Sequence, residues 1–289
     1  MIREAAARMS LRISFCTVLV AAVLSAAPAH AQSEKYVPGA IEASAQKAVA
    51  SVQTSASPQC SAPNEFTRLE RPLTQTARLL AAGLPIRIVA IGSSSTAGAG
   101  ASSPDASYPS RLAAELANRF PGHQITVLNR GVNGEDARDM LARFETTVIA
   151  ERPDLVLWQV GTNTVLRDHP VGSTSSLIEQ GIMQLKAAGA DVILIDPQFA
   201  PKVIAKDALS RMLDLLHWKA KQYNVNLFQR FAVMRHWRES QGIAFETFVS
   251  PDQLHMNDWS NACVAKVLSI AIAEAATRPV ASAAARGAR

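Results

Sequence analysis

The stretch Ile86-Arg87-Ile88-Val89-Ala90-Ile91, followed at once by Gly92-Ser93-Ser94-Ser95-Thr96, decides the fold. A short apolar run rich in β-branched residues that ends in glycine and hydroxyl side chains reads as a strand leaving a sheet through a turn. Comparable runs follow at Gln124–Asn129, Leu155–Val160, Asp191–Asp196 and Asn226–Gln229. Helical patterns separate them, around Tyr108–Phe120, Glu135–Glu151, Ser173–Ala188 and Lys206–Tyr223, and a last one runs from Asp258 to Ala276. Residues 64–82 predict one more helix, with Leu69, Leu73, Leu79 and Leu80 as its buried side. Leu155-Val156-Leu157-Trp158-Gln159-Val160 and Val192-Ile193-Leu194-Ile195 are almost continuously apolar, as strands covered on both faces must be. Alternating strand and helix therefore predict an α/β fold. It is a three-layer α/β/α sandwich around a five-stranded parallel sheet, in the flavodoxin-like manner. No internal repeat and no second domain is visible.

Outside this region the composition changes. Arg3, Arg8 and Arg12 precede the mostly apolar Ile13 to Ala27, and Ala29-His30-Ala31 offers small residues for cleavage. Residues 1–31 thus read as a cleaved signal peptide, started from Met1 or Met9, and the mature protein as exported, periplasmic or secreted. The apolar core of that segment is shorter than a bilayer span, and no later stretch is long enough, so no membrane span is expected after processing. Residues 32–63, rich in Ala, Ser and Gln, read as a flexible lead-in, and residues 279–289 as a disordered Ala/Arg tail. Removing Arg3, Glu4, Arg8 and Arg12 lowers the formal charge from +5 to +3, too little for a nucleic-acid partner. Cys60 and Cys263 survive processing. They either bridge, as an oxidising compartment allows, or remain two separate thiols.

In an open α/β sheet, ligands gather at the carboxyl ends of the strands. Gly92, Ser93 and Ser94 leave the first strand, Gly131 to Gly134 the second, and Gly161, Thr162 and Asn163 the third. Asp252 and His255 lie in a loop beyond the fifth. A serine hydroxyl needs a base to take its proton, a neutral imidazole suits that task, and a carboxylate holds the imidazole's tautomer. Ser94, His255 and Asp252 are the candidate set.

The order Gly-x-Ser, a glycine turn, Gly-x-Asn and then Asp-x-x-His resembles the SGNH (GDSL-type) hydrolase family over roughly Arg87 to Ala276. That places an SGNH hydrolase domain at residues 64–278. The resemblance implies Ser94 as nucleophile rather than Ser93 or Ser95, His255 as base and Asp252 as its partner. It implies an oxyanion hole made by the Ser94 backbone, Gly134 and Asn163. It also implies an esterase that needs no metal and no cofactor, taking a small-molecule ester or an acylated glycan or lipid. Two departures stand out. Ser93 and Thr164 occupy places where the family often has Asp, so the floor of the site must be hydrogen-bonded differently. Two rivals share the sequence: an acyltransferase or deacetylase for cell-envelope carbohydrate, and a non-catalytic binding module.

The remaining polar and aromatic residues read more plainly. His123, His169, His217 and His236 have no metal-ligand spacing and are expected to be surface or structural. Trp158, Trp218 and Trp237 are expected in packing, and Trp259 either in packing or in the acyl pocket. Ala97–Tyr108 is either a mobile lip over the site or an ordinary loop.

Overall fold

The computed structural model describes residues 59–278. The segment read as a signal peptide (residues 1–31), most of the expected lead-in and residues 279–289 lie outside them. Strands β1 (Ile86–Gly92), β2 (Ile125–Gly131), β3 (Leu155–Gln159), β4 (Asp191–Ile195) and β5 (Asn226–Phe228) form one parallel sheet in the order β2-β1-β3-β4-β5. This is the expected doubly wound order. Its direction of winding reverses between β1 and β3, the place where such sheets bind their ligands. The helices at Thr74–Ala81, Tyr108–Arg119 and Asp258–Thr277 pack together on one side, and those at Ala137–Ala142, Val171–Ala187 and Leu209–Tyr223 on the other. Every residue of β3 is buried, as its near-continuous apolar sequence requires. Among the described residues, no helix is long and apolar enough to cross a membrane.

Two expected helices are broken. Residues 64–82 form only Asn64–Thr67 and Thr74–Ala81. Pro72 disfavours helical backbone at Arg71, and the Arg71 peptide is bonded on both sides by Asn226: its N–H donates to Oδ1 (2.8 Å) and its carbonyl accepts from Nδ2 (3.1 Å). Leu69 and Leu73 are buried from this extended link rather than from a helix. Residues 135–151 likewise divide into Ala137–Ala142, Phe144–Thr147 and a 3-10 turn at Ile149–Glu151. The first piece begins at an Asp136/Asp139 capping box, not at Glu135. The break at Arg143 sets Phe144 edge-on against Trp158, ring centroids 5.0 Å apart, and the β-branched run Thr146 to Ile149 does not favour helix.

A helix at Arg230–Glu239, absent from the sequence reading apart from Trp237, follows β5 directly. Trp237 is fully buried and meets Trp259 edge-on at 5.1 Å, so Trp259 belongs to packing. Trp218 does not pack. It is 53% exposed, with the neighbouring Lys219 ammonium 5.0 Å from its ring centre. Cys60 and Cys263 form a disulfide across 203 residues, Cα atoms 5.0 Å apart. The Ser61 carbonyl accepts from Trp237 Nε1 at 3.1 Å, so the chain around the bridge is tied to the core.

Candidate active site

Ser94 opens the one-turn helix Ser94–Ala97 at the end of β1. Of the three adjacent serines, Ser93 and Ser95 are buried and only Ser94 is half open to solvent. Ser93 is bonded to Gln159, whereas the Ser94 oxygen lies 2.8 Å from Nε2 of His255. On the far side of the ring, Nδ1 lies 2.5 Å from Asp252 Oδ2. The structure thus brings a hydroxyl, an imidazole and a carboxylate from opposite ends of the domain into one hydrogen-bonded line.

The Asp252–His255 turn is built locally. Asp252 Oδ1 accepts the backbone N–H groups of Leu254 (2.9 Å) and His255 (3.0 Å), which fixes the carboxylate and leaves Oδ2 for the ring. Gln253 takes a left-handed backbone (φ 61°) to close this turn. Desolvation pushes the Asp252 carboxyl up, but the His255 N–H, the His255 ring and the Leu254 N–H together outweigh it and hold the group below the ordinary carboxylate value. It therefore remains an anion facing Nδ1.

The loop after β2 carries Gly134 with φ 81°. A Cβ there would meet only Arg167 Nη2, at an ordinary 3.5 Å, so the backbone conformation rather than crowding calls for glycine. The loop is held from three directions. Arg143 pairs with the Glu135 carboxylate, Nη2 to Oε2 at 2.5 Å, and the same Nη2 donates to the Arg130 carbonyl at 2.8 Å. Arg167 Nη2 donates to the Gly134 carbonyl at 2.6 Å. Asn163, on the short helix Thr162–Leu166 after β3, donates through Nδ2 to the Glu135 carbonyl at 2.8 Å. That bond uses one amide hydrogen of Asn163 and fixes the amide's orientation, leaving the second hydrogen free.

The Ala97–Tyr108 segment is pinned: Ser250 Oγ donates to the Gly100 carbonyl at 3.2 Å, and the Ser102 N–H and hydroxyl donate to Asp258 at 2.7 and 2.6 Å. Among the histidines read as structural, His169 places Nδ1 3.4 Å from Asp136 Oδ2, beside the Gly134 loop. Among the described residues, no three or more His, Cys, Asp or Glu side chains cluster so as to hold a metal ion.

The sequence reading missed the residues beneath this site. Gln159, Gln198 and Arg230 are almost wholly buried; Gln159 is bonded to the serine turn and, through Thr162, to Gln198, which accepts from Arg230. Gln159 had a visible signal, one amide in an otherwise apolar strand. Arg230 had none, because in the sequence it is one more polar residue just past the fifth strand-like run.

The model of the non-GDSL lipase-like family matches residues 59–278. The chain belongs to that family. Its fold is that of SGNH-type esterases. A solved two-domain esterase described as active on acetylated mannans superposes with a TM-score of 0.62 at 20% identity, over 75% of this chain and 57% of that one. An arylesterase of Vibrio mimicus is 32% identical over 95 residues, 33% of this chain and 46% of that protein. An acetylxylan esterase of Geobacillus stearothermophilus is 42% identical over 50 residues, 17% of this chain and 23% of that protein. The chain thus spans less than half the length of the curated relatives it matches.

Proposed function

We propose that this member of the non-GDSL lipase-like family is a serine hydrolase of carboxylic esters. The observation that carries the reading is the continuous line from Asp252 through His255 to Ser94, with spacings of 2.5 and 2.8 Å. His255 Nε2 takes the Ser94 proton as the oxygen attacks the ester carbonyl. The Asp252 carboxylate holds the proton on Nδ1, so that Nε2 is the basic nitrogen, and it steadies the imidazolium that forms. His255 then protonates the leaving alcohol, and a water activated by the same nitrogen releases the acid from Ser94.

The tetrahedral intermediate places negative charge on the former carbonyl oxygen. Three groups are free to receive it: the Ser94 N–H in the first turn of its helix, the Gly134 N–H and the second Nδ2 hydrogen of Asn163. The clamps from Arg143, Arg167 and Asn163 hold two of these donors in place before charge develops, which is what makes such stabilisation effective.

The narrower substrate we propose is an O-acetylated carbohydrate. The activities described for the mannan-active esterase and the acetylxylan esterase favour it. Export, with residues 1–31 removed, is part of the proposal. The Cys60–Cys263 disulfide supports it, since such bonds persist in oxidising compartments. Transfer of the acyl group to a sugar acceptor uses the same acyl-enzyme, and product analysis with competing acceptors separates it from hydrolysis.

Ser94→Ala tests the central reading. Turnover of p-nitrophenyl acetate is expected to fall by about 10⁴-fold or more, with unchanged circular dichroism. A fluorophosphonate should label wild type at Ser94 and leave the variant unlabelled. Retained turnover, or labelling elsewhere, would overturn it.

A further inference from the structure

A chain of buried side chains runs under the site from the serine turn to the histidine turn. The Gln159 amide oxygen accepts from the Ser93 N–H (2.9 Å), the Ser93 hydroxyl (3.1 Å) and the Thr96 hydroxyl (3.2 Å). Its amide nitrogen donates to the Thr162 hydroxyl at 3.4 Å, which donates to Gln198 Oε1 at 3.1 Å. Gln198 Oε1 also accepts from Arg230 Nη2 at 2.9 Å, and Gln198 Nε2 donates to the carbonyl of Leu254, the residue before His255, at 3.1 Å. Gln159, Thr162, Gln198 and Arg230 are each at most 3% exposed, so water does not compete for these bonds.

The direction of the chain is fixed at both ends. The Ser93 peptide N–H only donates, so the group facing it must be the Gln159 oxygen. The Arg230 guanidinium only donates and the Leu254 carbonyl only accepts, so Gln198 has one orientation too. Thr162 between them can satisfy both amides in one way alone. A second branch closes the ring: Thr96 meets the Tyr108 hydroxyl at 3.2 Å, the Tyr108 N–H donates to Asn261 Oδ1 at 3.0 Å, and Asn261 Nδ2 donates to the carbonyl of Met256 at 3.1 Å. The carbonyls of Leu254 and Met256, the residues on either side of His255, are thereby held by two branches that both lead back to the serine turn. Gly92 is part of the design, because a Cβ there would come within 2.2 Å of Thr96 Oγ1 and 2.7 Å of Gln159 Oε1.

We propose that Gln159 is a positioning residue which, through Thr162 and Gln198, sets the Ser94 turn and the His255 turn at their working separation. The inference rests on the hydrolase reading above. A neutral amide accepts the same donors as a carboxylate at this place would, without adding a second negative charge under an intermediate that is itself an oxyanion.

The test compares Gln159→Met, Thr162→Val and Thr162→Ser with wild type in the purified protein, using p-nitrophenyl acetate. Active sites are counted by fluorophosphonate labelling, so that kcat is expressed per reactive serine. Gln159→Met should lower kcat about 100-fold and Thr162→Val about tenfold, each with KM within about twofold, as for a nucleophile and base displaced by a fraction of an ångström. Thr162→Ser should restore kcat to within about twofold of wild type, since it keeps the hydroxyl. A purely structural role would lower the melting temperature and leave kcat per labelled site unchanged, and that result overturns the inference. Should Gln159→Met fail to fold, the Thr162→Val and Thr162→Ser pair decides alone. Labelled wild type with unaffected variants removes only this inference, whereas wild type that is never labelled removes the hydrolase reading and this inference together.

Discussion

The serine turn and the histidine turn meet at one hydrogen bond but are made in opposite ways. Ser93, Ser95 and Thr96 are buried, and the turn is fixed by Gln159, more than sixty residues away. The Asp252 side chain is 43% exposed, and its turn is shaped by bonds spanning two and three residues. A turn made locally keeps its shape when distant parts of the chain shift, whereas one made by long-range contacts stays where the sheet places it. In the proposed mechanism an acid–base pair with internal geometry of its own joins a nucleophile whose position belongs to the core.

Breaking the local pair has the largest expected effect. Asp252→Asn can keep the bonds from the Leu254 and His255 N–H groups through its oxygen, but it turns an NH₂ toward Nδ1 and favours the wrong tautomer of His255. We expect kcat to fall about 10³–10⁴-fold with little change in melting temperature, measured with a short ester and by circular dichroism.

Asn163→Ala probes the core side of the comparison. It removes one expected oxyanion donor and also frees the Glu135 carbonyl that Asn163 holds. The expected loss is about 10²–10³-fold in kcat, with KM little changed.

Two further changes sharpen the contrast by touching stability rather than chemistry. Cys60→Ser with Cys263→Ser opens a link across 203 residues. Loss of roughly 2–5 kcal/mol in a urea titration is expected from loop-closure entropy, with kcat of the folded protein nearly unchanged. The smallest effect is a slope. Burial pushes the Asp196 carboxyl up to about 7, against the N–H of Phe231 and the nearby Arg230 charge, which pull it down. The folded state therefore binds a proton that the unfolded chain has lost, so this group's contribution is full below about 4 and fades as pH rises through 7. Asp196→Asn should flatten that decline, and urea titrations at pH 5 and pH 8 measure the difference.

The strands were legible because each is a short apolar run closed by turn residues, and all five lie where the sequence puts them to within two residues. Ser94, Asp252 and His255 were legible because their chemistry forces particular residue types to the exits of the sheet. The two broken helices were less so. Pro72 marks the first break, but the Asn226 bonds that hold Arg71 extended come from β5, and the break at Arg143 depends on a pairing with Glu135 that periodicity does not carry. Trp218 reads as packing because a large aromatic on a helix usually is, yet its side of Leu209–Tyr223 faces solvent.

By itself, the sequence determined the alternation of elements, the parallel sheet and the residues capable of acid–base and nucleophilic chemistry. All of these follow from local patterns and from side-chain type. Only the tertiary structure decided that Ser93 is tied down by Gln159 and Ser95 is buried while Ser94 meets His255, that the Gly134 backbone is left-handed, and that Gln159, Thr162, Gln198 and Arg230 form one buried chain. The physical reason is directionality. Apolar burial is read from composition and period, whereas a hydrogen bond between residues far apart exists only when folding brings a donor and an acceptor together at the right angle and out of water.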